Sequence, residues 1–156
     1  MFSKIVLALD GSEPSDRVLP VAQEVAAPGS ARIDIVHVRE VMPARAGGLT
    51  VRADENELES KVRDQAKELS AAGYDTHLHD EATVSGGPAQ VIATVAGQVQ
   101  ADVIVIGTRG HAPVAGLLLG SVTQRLLHIA PCPVLAIPPS GDRAATPDGE
   151  VATSAG

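Results

Sequence analysis

Gly107, Gly110, Gly120 and Ser121 carry the strongest chemical signal in the sequence, although they have little side-chain chemistry of their own. Their spacing suits a loop wrapped around an anion. Glycine lets the backbone approach a ligand closely, successive N–H groups then point at it, and a helix N-terminus favours negative charge. The apolar, β-branched run at 102–106 before the loop reads as a buried parallel strand. The run from Ser121 to Ile129 after it has helical spacing, with the Ser121 hydroxyl where an N-cap belongs. Backbone N–H groups around Gly107, Gly110, Gly120, Ser121 and Val122 are therefore candidates to hold phosphate, with the Ser121 and Thr123 hydroxyls adding bonds. The charge pattern agrees. The chain holds 19 Asp and Glu, yet none lies between Val103 and Gly141, whereas Arg109 and Arg125 do. Clearing carboxylates from one region of a chain of net charge −7 suits an anionic ligand.

Other chemistries find less support. The P-loop pattern Gly-x-x-x-x-Gly-Lys-Ser/Thr is absent, and no lysine lies near the glycines. The five histidines share no metal spacing, although His77 and His79 fall on one face of a strand. Cys132, between two prolines, reads as a small buried hydrophobe. Arg109 is placed to steer phosphate, and equally placed to be an ordinary solvated loop arginine. Asp10 reads either as a ligand carboxylate or as a turn-former in Asp10-Gly11-Ser12-Glu13-Pro14.

Composition bounds the fold. The 156 residues suffice for one core, and the only aromatic residues are Phe2 and Tyr74, so that core must be Val, Ile, Leu and Ala. This favours a parallel α/β sheet over a sandwich. One cysteine excludes an internal disulfide, and no apolar run approaches a membrane span or a signal peptide, which predicts a cytosolic protein with no membrane association. Acidity and scarce aromatics argue against a nucleic-acid surface.

The elements that would position these residues follow in order. Lys4–Leu9 reads as a first buried strand, ending at Asp10. A helix carries Val18, Val21, Ala22 and Val25 toward Pro28-Gly29, with Pro20 either in its first turn or kinking it. Ala31–Val38 reads as the second strand and 40–53 as a mobile loop with too little apolar content to pack. A long helix over 54–72 has Leu58, Val62, Ala66 and Leu69 as its buried stripe, with a solvated face of pairs such as Glu57–Lys61 and Glu59–Arg63, and Gly73 ends it. Tyr74–Thr83 reads as a half-exposed edge strand, and Pro88 opens a helix with Val91, Ile92, Val95 and Val99 inward. The strand, loop and helix at 102–129 follow, then a fifth strand over 133–138. Residues 1–139 form one predicted domain, and 140–156 a disordered tail. Five strands alternating with four helices predict an α/β fold, a doubly wound parallel sheet.

The Gly-x-x-Gly, nine residues, Gly-Ser pattern resembles the ATP-binding signature of the universal stress protein family. The likeness extends through 101–110, 120–123 and 130–135, and over Lys4 to Pro138 as a whole. It implies a five-stranded Rossmann-like sheet of the adenine nucleotide alpha hydrolase type, order 3-2-1-4-5. Winding then reverses between strands 1 and 4, and ligands bind beyond the strand ends at such a point. Asp10 is thereby brought to the glycines, near ribose hydroxyls or a bound Mg²⁺. Val38 matches the position whose main chain meets adenine in relatives. The resemblance also implies a homodimer through Val134–Ile137 and ATP as ligand of a stress-response regulatory module with an unnamed protein partner. A slow ATPase or self-phosphorylating enzyme, with Ser121 or Thr123 as acceptor, is a second reading, and a nucleotide-free interaction protein a third.

Overall fold

The computed structural model describes residues 1–84, 87–108 and 119–139, and of residues 13 and 14 the backbone only. Arg109, Gly110 and the tail from 140 onward lie outside the described residues. Five parallel strands form the main sheet: β1 (Lys4–Ala8), β2 (Arg32–Glu40), β5 (Asp75–Thr83), β6 (Val103–Gly107) and β7 (Val134–Ile137). Their order is β5-β2-β1-β6-β7, which is the expected 3-2-1-4-5 counted over these five. β1 sits in the middle, paired through Leu7 with Ile35 on one side and Val105 on the other.

Alternation along each strand divides the core between two faces. Ile5, Leu7, Ile33, Ile35, Val103 and Val105 face α1 (Val18–Val25) and α2 (Glu55–Ala71). Val6, Val36, Ile104 and Ile106 face α3 (Gly87–Val99) and α4 (Ser121–Ile129). Val, Ile, Leu and Ala fill both layers, and Phe2 and Tyr74 only pack against the edge of the first. Asp102 fastens the bottom of the sheet, where its Oδ2 accepts the N–H groups of Ser3 and Lys4 at 2.9 and 2.8 Å.

Several local expectations are corrected. Of the two readings of Pro20 the first holds: α1 starts late, after a 3-10 turn over Glu13–Arg17, and Pro20 falls in its first turn, where no intrahelical acceptor is needed. It also ends at Val25, short of Pro28. The 40–53 stretch is not a bare loop: Met42–Pro43 pairs with Leu49–Thr50 as a hairpin (β3 and β4), closed through Gly47 and Gly48 at φ +85° and +91°. That turn needs the left-handed conformations glycine supplies. The charged face of α2 is not wholly solvated either, because Glu55 and Gln65 are buried. Lys61 reaches Asp16 at 2.7 Å rather than Glu57, while Arg63 does meet Glu59. Cys132 is half-buried, and burial raises its thiol pKa, with Asp102 adding to the effect. No helix among the described residues is long and apolar enough to cross a membrane.

Candidate functional site

The carboxyl ends of β1, β2 and β6 open into a cleft of about 240 Å³, at the point where the chain changes face between β1 and β6. Asp10, Val38, Gly107, Gly120, Ser121, Val122 and Thr123 all line it. The remaining candidates, Arg109 and Gly110, fall outside the described residues. Neighbouring strands in such an order send their connections to opposite sides of the sheet, which leaves a crevice between them.

The β6 side is built from backbone. Thr108 bonds β7 through its N–H to Ile137 O at 2.8 Å, and its own carbonyl accepts the Gly120 N–H at 2.6 Å. Gly120, not Ser121, is the N-cap of α4, without a side-chain capping bond, and Ser121 is the first helical residue. The first bond within the helix is Gln124 N–H to Gly120 O, 2.9 Å. The N–H groups of Ser121, Val122 and Thr123 thus precede the point where intrahelical acceptors begin. They sit at the positive end of the helix dipole. The Thr123 hydroxyl donates to Gly107 O at 2.8 Å, and the residue is buried. Its proton therefore ties helix to strand, while the Ser121 side chain is exposed.

The opposite side, at β1, β2 and α2, is rich in acidic groups. Asp10 Oδ1 accepts from Ser12 N–H and Oγ at 3.0 and 2.5 Å, so it shapes the turn after β1 while lining the cleft. Gly11 permits α2 to lie against this turn. Its φ is +74°, and a Cβ there would sit 2.9 Å from the Leu58 backbone. Glu40, Glu55, His37 and Arg52 complete this side. His37 is buried, with Nδ1 3.0 Å from Leu9 O and Nε2 2.7 Å from Glu55 Oε1. Arg52 is held by Asp54 through bonds of 3.0 and 3.1 Å, which raise its pKa further; the Glu55 and Asp10 charges act in the same direction. Val36, Val38, Ile92 and Ile106 supply an apolar wall between the two sides.

Sequence reasoning missed His37, Glu40, Arg52 and Glu55. One signal was available for His37: it continues the inward series Ile33, Ile35 at a spacing of two, where a polar residue needs a partner. Glu55 lies in the first turn of α2, a usual place for an exposed acid. Only the fold brings it beneath β2. His77 and His79 do not converge on a metal; they bond Asp75 and Asp34 at 3.0 and 2.8 Å. Among the described residues no group of three or more His, Cys, Asp or Glu is placed to hold a metal ion.

An open doubly wound sheet with a cleft at its switch point, a helix N-terminus on one side and acceptors on the other, defines a class of small α/β ligand-binding domains. Comparison with known proteins makes this specific. The model of the universal stress protein family matches residues 1–138. A universal stress protein of Thermus aquaticus is 36% identical over 138 residues, covering 88% of this chain and 99% of its own. The structure of a universal stress protein from Archaeoglobus fulgidus has a TM-score of 0.66 at 28% identity, covering 88% of this chain and 94% of that one. A universal stress protein in complex with cAMP has a TM-score of 0.63 at 26% identity, covering 87% and 97%. The chain belongs to the universal stress protein family.

Proposed function

We propose that this protein binds an adenine nucleotide, ATP, in the switch-point cleft and acts as a nucleotide-dependent regulatory module of the cytosolic stress response. One observation carries the reading: a helix N-terminus and an acidic, acceptor-rich rim face each other across an apolar wall in a single cleft. The residues fit the group. N–H groups of Ser121 and Val122, with Gly107 and Gly120 beside them, suit phosphate, and the sequence motif adds Arg109 and Gly110 as candidates. Asp10 and its acidic neighbours suit ribose hydroxyls, which donate to carboxylates; against phosphate they would repel. Val38 and Ile92 suit the flat faces of adenine. The cAMP complex of a relative supports the ligand class.

In this reading ATP is held rather than consumed. No lysine lines the described part of the cleft, and Arg52 is committed to Asp54 on the acidic side. Cation clamps on the transferred phosphoryl group supply factors of about 10³ or more in phosphoryl-transfer enzymes. Slow hydrolysis or self-phosphorylation is the second reading, favoured by Asp10 and Glu40 as carboxylates able to orient a water. We also propose that two copies associate through β7.

The test is direct. Freshly purified protein is denatured and the supernatant assayed for adenine nucleotide, and the emptied protein is titrated with ATP by calorimetry. Co-released or rebinding ATP, with turnover far below the ~10 s⁻¹ typical of enzymes, is the expected result. Absence of both binding signals overturns the ligand, and turnover of several per second moves the protein to the enzyme reading.

A further inference from the structure

We propose that His37 and Glu55 form a positioning pair that holds one shared proton and couples occupancy of the cleft to pH. For its ligand the inference rests on the nucleotide reading above. For the pair itself it rests on geometry alone.

The Leu9 carbonyl can only accept, so the His37 nitrogen 3.0 Å from it, Nδ1, carries a hydrogen. That fixes the ring. Nε2 then faces Glu55 Oε1 at 2.7 Å, a distance at which two bare acceptors would repel. One proton must lie between them, as imidazolium with carboxylate or as neutral imidazole with carboxylic acid. Either way the pair is neutral. His37 and Glu55 are only 2% and 4% exposed, so little solvent is available to replace the bond. Loss of the proton leaves a net negative charge under the cleft and sets the carboxylate against a lone pair.

The position of the pair gives this consequence. His37 hangs from the carbonyl of Leu9, the residue before Asp10, and itself precedes Val38. Glu55 opens α2. The bond therefore clamps the ends of β1 and β2 to the start of that helix, around the groups that line the acidic side. The other charges near it are already placed. Asp10 lies in the turn just past β1, Glu40 ends β2, and Arg52 with Asp54 leads into α2. Asp80, opposite His37 on β5, is paired with Arg39 and Arg63, and Asp16 of the 3-10 turn with Lys61. Of these groups His37 is the one imidazole. An anionic ligand binds better over the neutral pair than over the charged one. By linkage, binding takes up a proton wherever the pair has begun to lose its own. Affinity falls as pH rises.

Glu55→Gln separates geometry from titration. Its amide can donate to Nε2 of a neutral His37, which keeps the clamp but removes the shared proton. The full chain is titrated with ATP by calorimetry from about pH 6 to about pH 9, each point in two buffers of different ionisation heat. Any titration of ATP itself is common to both proteins. Wild type is expected to take up protons on binding and to lose affinity about tenfold more than Glu55→Gln across the range. Equal pH profiles, or no extra proton uptake by wild type, overturn the coupling. If Glu55→Gln does not fold, the two-buffer measurement on wild type decides alone, with absence of uptake beyond that of free ATP as the overturning result. Heteronuclear NMR of the ligand-free His37 ring judges the pair independently of the nucleotide. A proton on Nδ1 throughout, with a pH-dependent Nε2 signal lost in Glu55→Gln, supports it, and an unchanged titration in the variant refutes it. No ATP binding at any pH removes the proposed function and the coupling together, while the ring spectrum still decides whether the pair shares a proton.

Discussion

Asp34 shows how much a single buried charge can hold. It is fully buried on β2, yet receives two bonds from Arg32 at 2.7 and 2.8 Å and one from His79 at 2.8 Å. Burial alone would raise its pKa, but these donors outweigh it and keep the carboxyl below its ordinary range. A depressed folded-state pKa stabilises the protein above the unfolded value, and the contribution is lost as pH falls through the folded one. Urea midpoints of wild type and Asp34→Asn should therefore differ by a constant amount above about pH 4 and converge below it. A gap that persists at low pH contradicts this origin. Gly11 is the second residue where one atom decides. Gly11→Ala should cost about 1–3 kcal/mol, because the new Cβ meets the Leu58 backbone at 2.9 Å and φ is +74°; denaturant titration measures it. That Gly107, Gly120 and Asp10 meet at one cleft was legible in the sequence, since their signals are local: spacing, turn chemistry, position after an apolar run. His37 and Glu55 were not, because 18 residues separate them and neither neighbourhood alone implies the other.

Among the elements, α4 bears most directly on the cleft, and the Thr123 hydroxyl bonds it to the end of β6. Thr123→Val keeps the shape but leaves the Gly107 carbonyl without its donor, which should cost about 1–3 kcal/mol. It should also weaken ATP binding, because the helix N-terminus is no longer fixed relative to the strand end. Thr123→Ser should restore most of both. Calorimetry and thermal unfolding check the pair of variants, and a Thr123→Val protein of parental stability would contradict the tie. The strands of the main sheet and the long helices were legible because each is an apolar run, an alternating run as in β5, or a stripe at helical spacing. The β3–β4 hairpin was not. Its strands are two residues long and exposed, so no alternation develops, and the paired Gly47-Gly48 was its only mark. The N-cap of α4 was displaced by one residue because Gly120 and Ser121 both suit the position.

At the scale of the whole molecule, the sheet ends on one side at β7, whose four residues are all half-buried. An apolar edge strand with free main-chain groups is a template for pairing, and two-fold symmetry makes such pairing antiparallel and self-complementary. Light scattering at micromolar concentration should find a dimer, and Ala136→Pro should yield a folded monomer: Pro133 and Ile137 turn their carbonyls to β6, so Ala136, in the opposite phase, presents its N–H to the open edge. A monomeric parent, or a dimer indifferent to Ala136→Pro, contradicts the assignment. The core of Val, Ile, Leu and Ala has one further consequence. With one tyrosine, one phenylalanine and no tryptophan, this protein is nearly transparent in the near ultraviolet. An adenine ring absorbs far more strongly than a lone phenol. The absorption spectrum of the purified protein would therefore be dominated by whatever nucleotide it carries, and a chromatographic peak followed by its absorbance would trace the cargo more than the chain.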